Sequence, residues 1–320
     1  MITIPHIHKL NLEDFERGKL HRAWFDIITD PLGEPISIPL LIGRGSEKGP
    51  VLGLTAAVHG NELNGIPVIQ KLFKEIGEKT VHGTVIGVPV VNVPALLRKK
   101  RRFIDGVDLN HIMPGNSTGN VSQTYVHRFI REIVSKFDFL LDLHTASNGR
   151  INSYYVRADM QDEKTRQLAL LQNAQIIVHN PPSDGTLRGA AEEMEITAIT
   201  LEVGNPNTFQ KGMISSGITG LYNALIHLKM IEGQIETPGS LPILCRKSYW
   251  IYTDRGGLLT VTPQVTDRIQ KGQLIATQHN IFGDKIKEYF APENGVVIGK
   301  SNSPVNQTGG RILHLGIEFE

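Results

Sequence analysis

The chain has 320 residues, with 33 Lys and Arg against 32 Asp and Glu. Its formal charge of +1 offers no surplus of positive charge for binding nucleic acid. This length exceeds the size at which one hydrophobic core usually stops growing, so two domains are expected. A single Cys excludes an internal disulfide and a four-cysteine zinc module, so a metal site would need histidine and carboxylate ligands.

The N-terminal segment MITIPHIHKLNLEDFERG does not resemble a targeting segment. It carries acidic residues early and lacks both the basic start and the apolar run of a signal peptide. No later segment reaches the roughly 18 consecutive apolar residues that a membrane-spanning helix needs. We therefore expect a cytoplasmic protein with no membrane partner.

From residue 51 onwards, short apolar runs alternate with stretches of helical period. The run at 51–58 is too short for a typical helix and predicts a strand buried on both faces. A helix follows over 66–76, with Pro67 in its first turn, where the missing N–H is not needed. Further strands are predicted at 84–92, 137–144, 175–179 and 196–204, and further helices at 122–135, 161–174 and 217–231. This alternation predicts an α/β fold, with a mixed, mostly parallel sheet and helices on both faces.

The composition changes after Gly233, where a segment rich in Gly and Pro precedes short runs of Val, Ile, Tyr and Thr. We predict no helix from 241 to 320. The boundary is placed at residue 238, so that residues 1–238 form the α/β domain and residues 239–320 a small C-terminal all-β domain.

Four polar residues lie at the carboxyl ends of predicted strands, where open α/β sheets place ligand sites. His59 and Glu62 follow the first of these strands, His144 ends another, and Glu202 lies near the end of the last. Two imidazoles and a carboxylate are the ligand set of a hydrolytic zinc site, so we expect His59, Glu62 and His144 to bind one Zn²⁺. The HxxE spacing alone leaves His59 equally open as a loop histidine bonded to the backbone.

A hydrolytic zinc site also needs a base and a cation near the developing oxyanion. Glu202 is the candidate base, although a salt-bridged glutamate at a strand end would show the same pattern. The basic run 98–102 supplies candidate cations, most of which we expect to be solvated. Asp142 shares a strand face with His144 and is either a partner that orients a ligand or a simple strand-end acid.

Five motifs in this order carry a family resemblance. AAVHGNELNG, RRFIDGVDLNHIMPG, LLDLHT, TLRGAA and ITLEVG resemble the succinylglutamate desuccinylase/aspartoacylase family of the zinc carboxypeptidase clan, over roughly residues 50–235. Each motif is weak alone, whereas five at compatible spacings are specific. The resemblance implies a zinc-carboxypeptidase-like fold and one Zn²⁺ per chain.

The resemblance also implies roles for individual residues. It makes His59, Glu62 and His144 the zinc ligands and Glu202 the general acid and base. Arg102 aligns with the arginine that polarises the substrate carbonyl, if the loop has one extra residue. The substrate-binding positions that it implies are Asn110 and Arg188, and a surface arginine remains the alternative for Arg188.

One position departs from the family. The family's hydrolases of acidic N-acyl amino acids have Arg after Asp-Leu-Asn, whereas this chain has His111. A neutral imidazole cannot hold a carboxylate with two parallel hydrogen bonds, as a guanidinium can. We therefore predict that His111 contacts a less acidic substrate than N-acetylaspartate or N-succinylglutamate.

The C-terminal segment resembles the β-sandwich of bacterial members of the family, which is itself similar to a lipoyl or biotinyl carrier domain. Carrier domains need a lysine at a hairpin tip, and the corresponding turn here reads PENGV, at 292–296. We therefore expect no lipoylation. The domain is expected either to shape the entrance of the site or to form the interface of a homo-oligomer.

Together these features predict a metal-dependent hydrolase of non-peptide C–N bonds. It would cleave the amide of a small N-acyl amino acid or N-acyl amine by attack of a zinc-bound water, with Glu202 as general base. Two alternatives stay open: a zinc carboxypeptidase that acts on short peptides, and a catalytically silent homologue that binds a small molecule. The expected partner is a small-molecule substrate rather than nucleic acid.

Overall fold

The computed structural model describes residues 4–77, 82–237 and 239–319. Within these ranges none of the helices is both long enough and apolar enough to cross a membrane. The strands are β1 (His6–Ile7), β2 (Lys19–Thr29), β3 (Pro35–Arg44), β4 (Glu47–Ala56), β5 (His82–Val88), β6 (Phe139–His144), β7 (Arg150–Asn152), β8 (Tyr154–Ala158), β9 (Ile176–His179), β10 (Thr197–Val203), β11 (Ile243–Tyr252), β12 (Gly257–Val261), β13 (Arg268–Ile269), β14 (Leu274–His279), β15 (Lys285–Phe290), β16 (Gly295–Ser301), β17 (Val305–Asn306) and β18 (Arg311–Glu318). The α-helices are α1 (Gly65–Ile76), α2 (Val93–Leu97), α3 (Val121–Glu132), α4 (Glu163–Leu170), α5 (Leu187–Glu192) and α6 (Lys211–His227), and short 3-10 helices occur at Leu12–Asp14, Leu109–His111 and Val134–Lys136.

One large sheet runs through most of the molecule. Its strand order is β1-β2-β3-β5-β4-β6-β10-β8-β9-β11-β18-β16-β13, and β7 pairs with β16. The central strands β5, β4, β6 and β10 are parallel, and β8, β9 and β11 are parallel to one another. The junction between these two groups is the antiparallel pair β10 and β8. The predicted mixed, mostly parallel central sheet is therefore confirmed.

Both faces of this sheet are covered, because the side chains of its central strands alternate between two cores. In β6, Leu141 and Leu143 pack into a core with α1, α4 and α6, whereas Leu140 packs into the opposite core with α3 and α5. This period-two alternation of apolar residues explains why the strand reads as a continuous apolar run. The helices on both faces agree with the predicted α/β architecture.

Helix α1 lies close to β6 because residue 65 has no side chain. A Cβ atom at Gly65 would lie 2.7 Å from the Cβ atom of Leu143, too close for real packing. Just before the helix, the side chain of Asn64 donates to the carbonyl of Val203 in β10 at 2.7 Å and so ties the loop to the sheet. Pro67 stands in the first turn, as predicted. This close packing holds the polar loop before α1 against the ends of β6 and β10.

The C-terminal segment contains strands and no helix among its described residues, so the predicted all-β character is confirmed. Four of its strands form a second, antiparallel sheet in the order β15-β14-β12-β17, and this sheet shares an apolar core with β16 and β18. Strand β11 pairs in parallel with β9, so the large sheet continues past the predicted boundary. Pro238 lies outside the described residues, and the division into 1–238 and 239–320 stays a prediction.

The predicted elements from 51 to 231 have counterparts, with ends that differ by a few residues. The sequence patterns missed the long hairpin of β2 and β3, because its strands mix polar and apolar residues without a clean alternation. They also missed β8, which lies between the strand predicted at 137–144 and the helix predicted at 161–174, and α5, which lies between the strands predicted at 175–179 and 196–204. Since β8 pairs with β10, this omission hid the residues that face Glu202.

Candidate metal centre and substrate cavity

The candidate site forms where three parallel neighbours end. Strands β4, β6 and β10 pair in register, so the loop after β4 meets His144 at the end of β6. On the other side, Glu202 of β10 is the direct register partner of His144. The structure therefore brings His59, Glu62, His144 and Glu202 to one edge of the sheet, as predicted from their positions at strand ends.

His59, Glu62 and His144 form a compact buried group. One ligand atom from each lies within 4.8 Å of the others. The Nδ1 atom of His59 lies 3.0 Å from Glu62 Oε1, and the Nδ1 atom of His144 lies 3.0 Å from Glu62 Oε2. The two Nδ1 atoms are 3.2 Å apart. All three side chains thus direct donor atoms to one point.

The opposite nitrogen of each imidazole is held by a carboxylate. His59 Nε2 lies 3.0 Å from Asp108 Oδ1, and His144 Nε2 lies 2.7 Å from Asp142 Oδ2. Asp142 in turn accepts a hydrogen bond from the hydroxyl of Thr55 at 2.7 Å. A carboxylate that accepts from Nε2–H leaves the Nδ1 lone pair free for a metal ion, which is the usual arrangement around zinc-binding histidines. The chemistry of this donor set therefore fits Zn²⁺.

These contacts settle one alternative and add one residue. Asp142 orients His144 and is not a simple strand-end acid. Asp108 does the same for His59, although the sequence suggested no role for it beyond its place in the DLN motif. Its side chain is fixed on the other side by Arg101, whose Nε donates to Asp108 Oδ2 at 2.9 Å.

The contacts within this group stabilise the charged forms of Glu62 and His144. Burial acts to raise the pKa of Glu62, but the charges and hydrogen bonds of His59 and His144 outweigh burial and hold this pKa well below its ordinary value. Burial acts to lower the pKa of His144, but Asp142 and Glu62 outweigh it and hold this pKa well above its ordinary value. A metal ion would take the place of the proton that the His144 imidazole otherwise holds.

Glu202 lies in the wall of the same cavity. Its Oε2 atom accepts a hydrogen bond from the side-chain amide of Asn152 at 3.2 Å, and its Oε1 atom lies 3.6 Å from Nε of Arg157. Arg157 also donates to the hydroxyl of Tyr155 at 2.7 Å. Among the described residues, the one ion pair of Glu202 is thus the long contact with Arg157, and its carboxylate still faces the space beside the candidate metal ligands.

The two arginines at 101 and 102 lie on opposite sides of their loop, and this changes one prediction. Arg102, predicted to polarise the substrate carbonyl, is exposed and donates to the carbonyl of Gly106 at 3.1 Å, away from the cavity. Arg101 lines the cavity instead. Its guanidinium donates to Glu62 at 2.9 Å and also to the hydroxyl of Ser147. The structure thus places Arg101, and not Arg102, beside the candidate metal ligands.

The predicted substrate-binding residues are gathered in the cavity, but two of them have partners within the protein. Asn110 accepts a hydrogen bond from the backbone N–H of Leu187 at 2.8 Å. Arg188 is buried and donates to the backbone carbonyl and the side-chain oxygen of Asn180, at 2.8 and 2.5 Å. Burial, together with the charge of Arg157, lowers the pKa of Arg188 to about 10. His111 is exposed at the cavity rim.

The cavity has a volume of about 320 Å³ and contains residues that the sequence patterns did not identify. Arg150 and Arg157 come from β7 and β8, which follow the strand that carries His144. Trp250 comes from β11, beyond the predicted domain boundary. The one available signal was the period-two spacing of Tyr155 and Arg157 on a strand, which places both on the face of Glu202.

Comparison with known protein families identifies the N-terminal part of the chain. Residues 48–228 match the family model for the succinylglutamate desuccinylase/aspartoacylase catalytic domain. N-alpha-acetyl-L-2,4-diaminobutyric acid deacetylase of Halomonas elongata is 27% identical over 278 residues, which span 83% of this chain and 81% of that enzyme. Succinylglutamate desuccinylase of Pseudomonas putida is 28% identical over 170 residues, 49% of this chain and 50% of that enzyme. The similarity to the desuccinylase thus spans about half of each protein.

Two solved structures share the fold over nearly the whole chain. The product-bound ectoine utilization protein EutE (DoeB) from Ruegeria pomeroyi has a TM-score of 0.86 at 23% identity and covers 94% of this chain and 96% of its own. A succinylglutamate desuccinylase/aspartoacylase from Rhodobacter sphaeroides has a TM-score of 0.87 at 22% identity, with coverage of 98% and 100%. At these identities the likeness establishes the architecture, including the C-terminal strands.

Proposed function

Because this chain belongs to the succinylglutamate desuccinylase/aspartoacylase family, whose members hydrolyse amide bonds, we propose that it is a zinc-dependent deacylase of a small N-acyl amino acid. The observation that carries the proposal is the convergence of His59, Glu62 and His144 beside Glu202 in one cavity. The relative that deacetylates N-alpha-acetyl-L-2,4-diaminobutyric acid supports an N-acyl amino acid as the substrate class.

In the proposed reaction, His59, Glu62 and His144 would hold one Zn²⁺, and Asp108 and Asp142 would keep the two imidazoles in the orientation that leaves each Nδ1 atom free to bind it. Bound zinc supplies a Lewis acid that acidifies water and polarises the amide carbonyl. The other steps belong to groups of the chain. The half-buried carboxylate of Glu202 takes the proton of the attacking water and then delivers it to the leaving amine.

Arg101 is the proposed donor to the oxyanion that develops on the carbonyl. Its guanidinium lies between Glu62 and Asp108, so its charge is fixed at the edge of the ligand group before substrate arrives. A donor held in place in this way stabilises the transition state without reorganisation during the reaction.

The dimensions of the cavity favour a deacylase over the alternatives. A volume of about 320 Å³ lies at the lower end of the range for small-molecule sites and suits one acylated amino acid better than a peptide. A protein that only bound a small molecule would not require a base beside a complete set of metal ligands.

The test is the Glu202→Gln variant, with zinc content and turnover measured on the same preparation. General acid–base catalysis contributes roughly 10²- to 10⁴-fold, so we expect kcat to fall by that factor while one zinc per chain is retained. Glu193→Gln, at an exposed glutamate after α5, is the matched control and should keep full activity. Residual kcat above one tenth of the wild-type value would exclude Glu202 as the base, and a wild-type protein without zinc would exclude the metal mechanism.

A further inference from the structure

Four arginines line the cavity, and three of them are already engaged by protein groups. Arg101 is bonded to Glu62 and Asp108, Arg157 to Tyr155, and Arg188 to Asn180. The fourth, Arg150, makes no side-chain hydrogen bond or ion pair with any residue in the described part of the chain. A half-buried guanidinium with no protein acceptor keeps its five N–H donors available to an acceptor that enters the cavity.

Arg150 is held in place by the C-terminal part of the chain. Its Cζ atom lies 5.6 Å from the centre of the Trp250 indole ring, within the range of a cation–π contact. The backbone of β7, which begins at Arg150, pairs with β16. The guanidinium therefore has a defined position although none of its N–H groups is used.

The indole that supports Arg150 is itself rigid. His314 stacks on Trp250 with ring centres 5.0 Å apart and an interplanar angle of 11°. The Nε2 atom of His314 lies 2.9 Å from the hydroxyl of Ser248. Burial, and then the charges of Arg157 and Arg150, hold the pKa of His314 well below its ordinary value, so the ring behind Trp250 is neutral at pH 7.

Two further arginines lie near Arg150, together with the carboxylates of Glu202 and Glu62. Burial, followed by the positive charges of Arg311 and Arg101, lowers the pKa of Arg150 from its ordinary value. The guanidinium nevertheless stays charged at neutral pH. A carboxylate bound there would relieve this repulsion and accept two parallel hydrogen bonds from the planar guanidinium.

We propose that Arg150 and Trp250 form an anion subsite that binds the carboxylate of the substrate and makes the enzyme selective for N-acyl amino acids over neutral N-acyl amines. The subsite would supply the cation for the carboxylate that an arginine at position 111 would otherwise supply. It differs from Arg188, whose donors are committed to Asn180. This inference rests on the proposed function.

The test compares pairs of substrates that differ only in charge. N-acetyl-L-aspartate, N-acetyl-L-glutamate and N-alpha-acetyl-L-2,4-diaminobutyrate are each assayed beside the corresponding α-carboxamide, which keeps the scissile amide and loses the α-carboxylate. For the preferred acid, we expect Arg150→Gln to raise KM by about 10- to 100-fold with kcat nearly unchanged. The same change should leave the KM of the paired carboxamide unaltered, and Arg150→Lys should lie between wild type and Arg150→Gln, because it keeps the charge but not the planar fork.

Arg311→Gln is the matched control. Arg311 contacts the same indole, with its Cζ atom 5.4 Å from the ring centre, but it is exposed and does not line the cavity. Its loss removes one positive charge without removing a donor from the subsite, so KM should change by less than about twofold. An equal effect of Arg150→Gln on acids and carboxamides would overturn the proposal.

A binding measurement separates this proposal from the proposed function. Calorimetric titration of the same three acids into Glu202→Gln protein, with and without Arg150→Gln, requires no turnover. A 10- to 100-fold loss of affinity on Arg150→Gln supports the subsite. If the wild-type protein nevertheless fails to deacylate any of the acids, that failure counts against the proposed function and not against the subsite. If none of the acids binds in an Arg150-dependent way, the subsite is excluded whether or not the wild-type protein deacylates them.

Discussion

At the scale of single residues, the site is defined by which atom of each side chain is committed to a neighbour. The Nε2 atoms of His59 and His144 each contact a carboxylate, and their Nδ1 atoms face the candidate metal position. Arg101 has its donors divided between Glu62 and Asp108, whereas those of Arg150 are free of protein partners. Arg101 is therefore held in place before a substrate arrives, whereas the guanidinium of Arg150 keeps its donors for a ligand.

The pair of adjacent arginines gives a matched prediction. We expect Arg101→Gln to lower kcat/KM by roughly 10²- to 10³-fold, the usual effect of removing an oxyanion donor. Arg102→Gln should leave kcat/KM within twofold, because Arg102 is exposed and its side chain bonds, among the described residues, to the carbonyl of Gly106 alone. Steady-state kinetics on both variants would decide between the two residues, and a larger loss for Arg102→Gln would restore the assignment made from the sequence.

The sequence predicted some of these residues and not others for a physical reason. His59, Glu62 and His144 were predicted because each lies at the end of a strand that is recognisable from its apolar pattern. Arg150 and Trp250 could not be predicted, since they are separated by about 100 positions and meet through three successive strand pairings, β7 with β16, β16 with β18 and β18 with β11. The choice between Arg101 and Arg102 depends on which of the two side chains points into the cavity, and a loop has no periodicity from which this could be predicted.

At the scale of elements, the loop between β4 and α1 is shaped by the helix packed on it. A Cβ atom at Gly60 would meet the backbone of Ala95 and Leu96 in α2. The backbone of Gly60 is not in the left-handed region, so no special turn requires a glycine here. Gly60 is required because α2 lies directly against the loop that carries His59 and Glu62.

A substitution at Gly60 should therefore damage the metal site. Gly60→Ala must displace either α2 or the loop with His59 and Glu62, and we expect weaker zinc binding and a loss of about 2–4 kcal/mol in the free energy of unfolding, as for an overpacked or strained site. Gly212→Ala is the control, because a Cβ atom there meets nothing within 4 Å and alanine favours the helix. Denaturant unfolding and metal titration of both variants test this, and equal stability of the two would contradict it.

At the scale of the whole molecule, the C-terminal strands extend the large sheet. Strand β11 covers the edge of β9, and Tyr155, Ile176 and Val178 share a core cluster with Cys245 and Ile298. The composition predicted where the α/β part gives way to the all-β part. It could not predict that the two parts share a sheet, because strand pairing between distant segments leaves no local signal in the sequence.

Truncation at the predicted boundary should expose this junction. A chain of residues 1–238 would leave the edge of β9 unpaired and its apolar cluster uncovered, so we expect it to aggregate or to lose cooperative thermal unfolding. The control is full-length protein with Ile281 and Phe282 changed to Ser, at a turn where these side chains are 79% and 88% exposed. This control should unfold like wild type. Cooperative unfolding of the 1–238 chain at the wild-type midpoint would show that the α/β part is independent.

The pairing of β7 with β16 also has a consequence for the order of events during biosynthesis. All three candidate metal ligands have been made once residue 144 is added, yet β7 must wait for Gly295–Ser301 before its partner exists. At roughly 5–20 residues per second, that delay lasts roughly 7–30 s. The candidate metal ligands would therefore be complete in the nascent chain well before the proposed carboxylate subsite, and selectivity for the substrate would be the last property that the growing chain acquires.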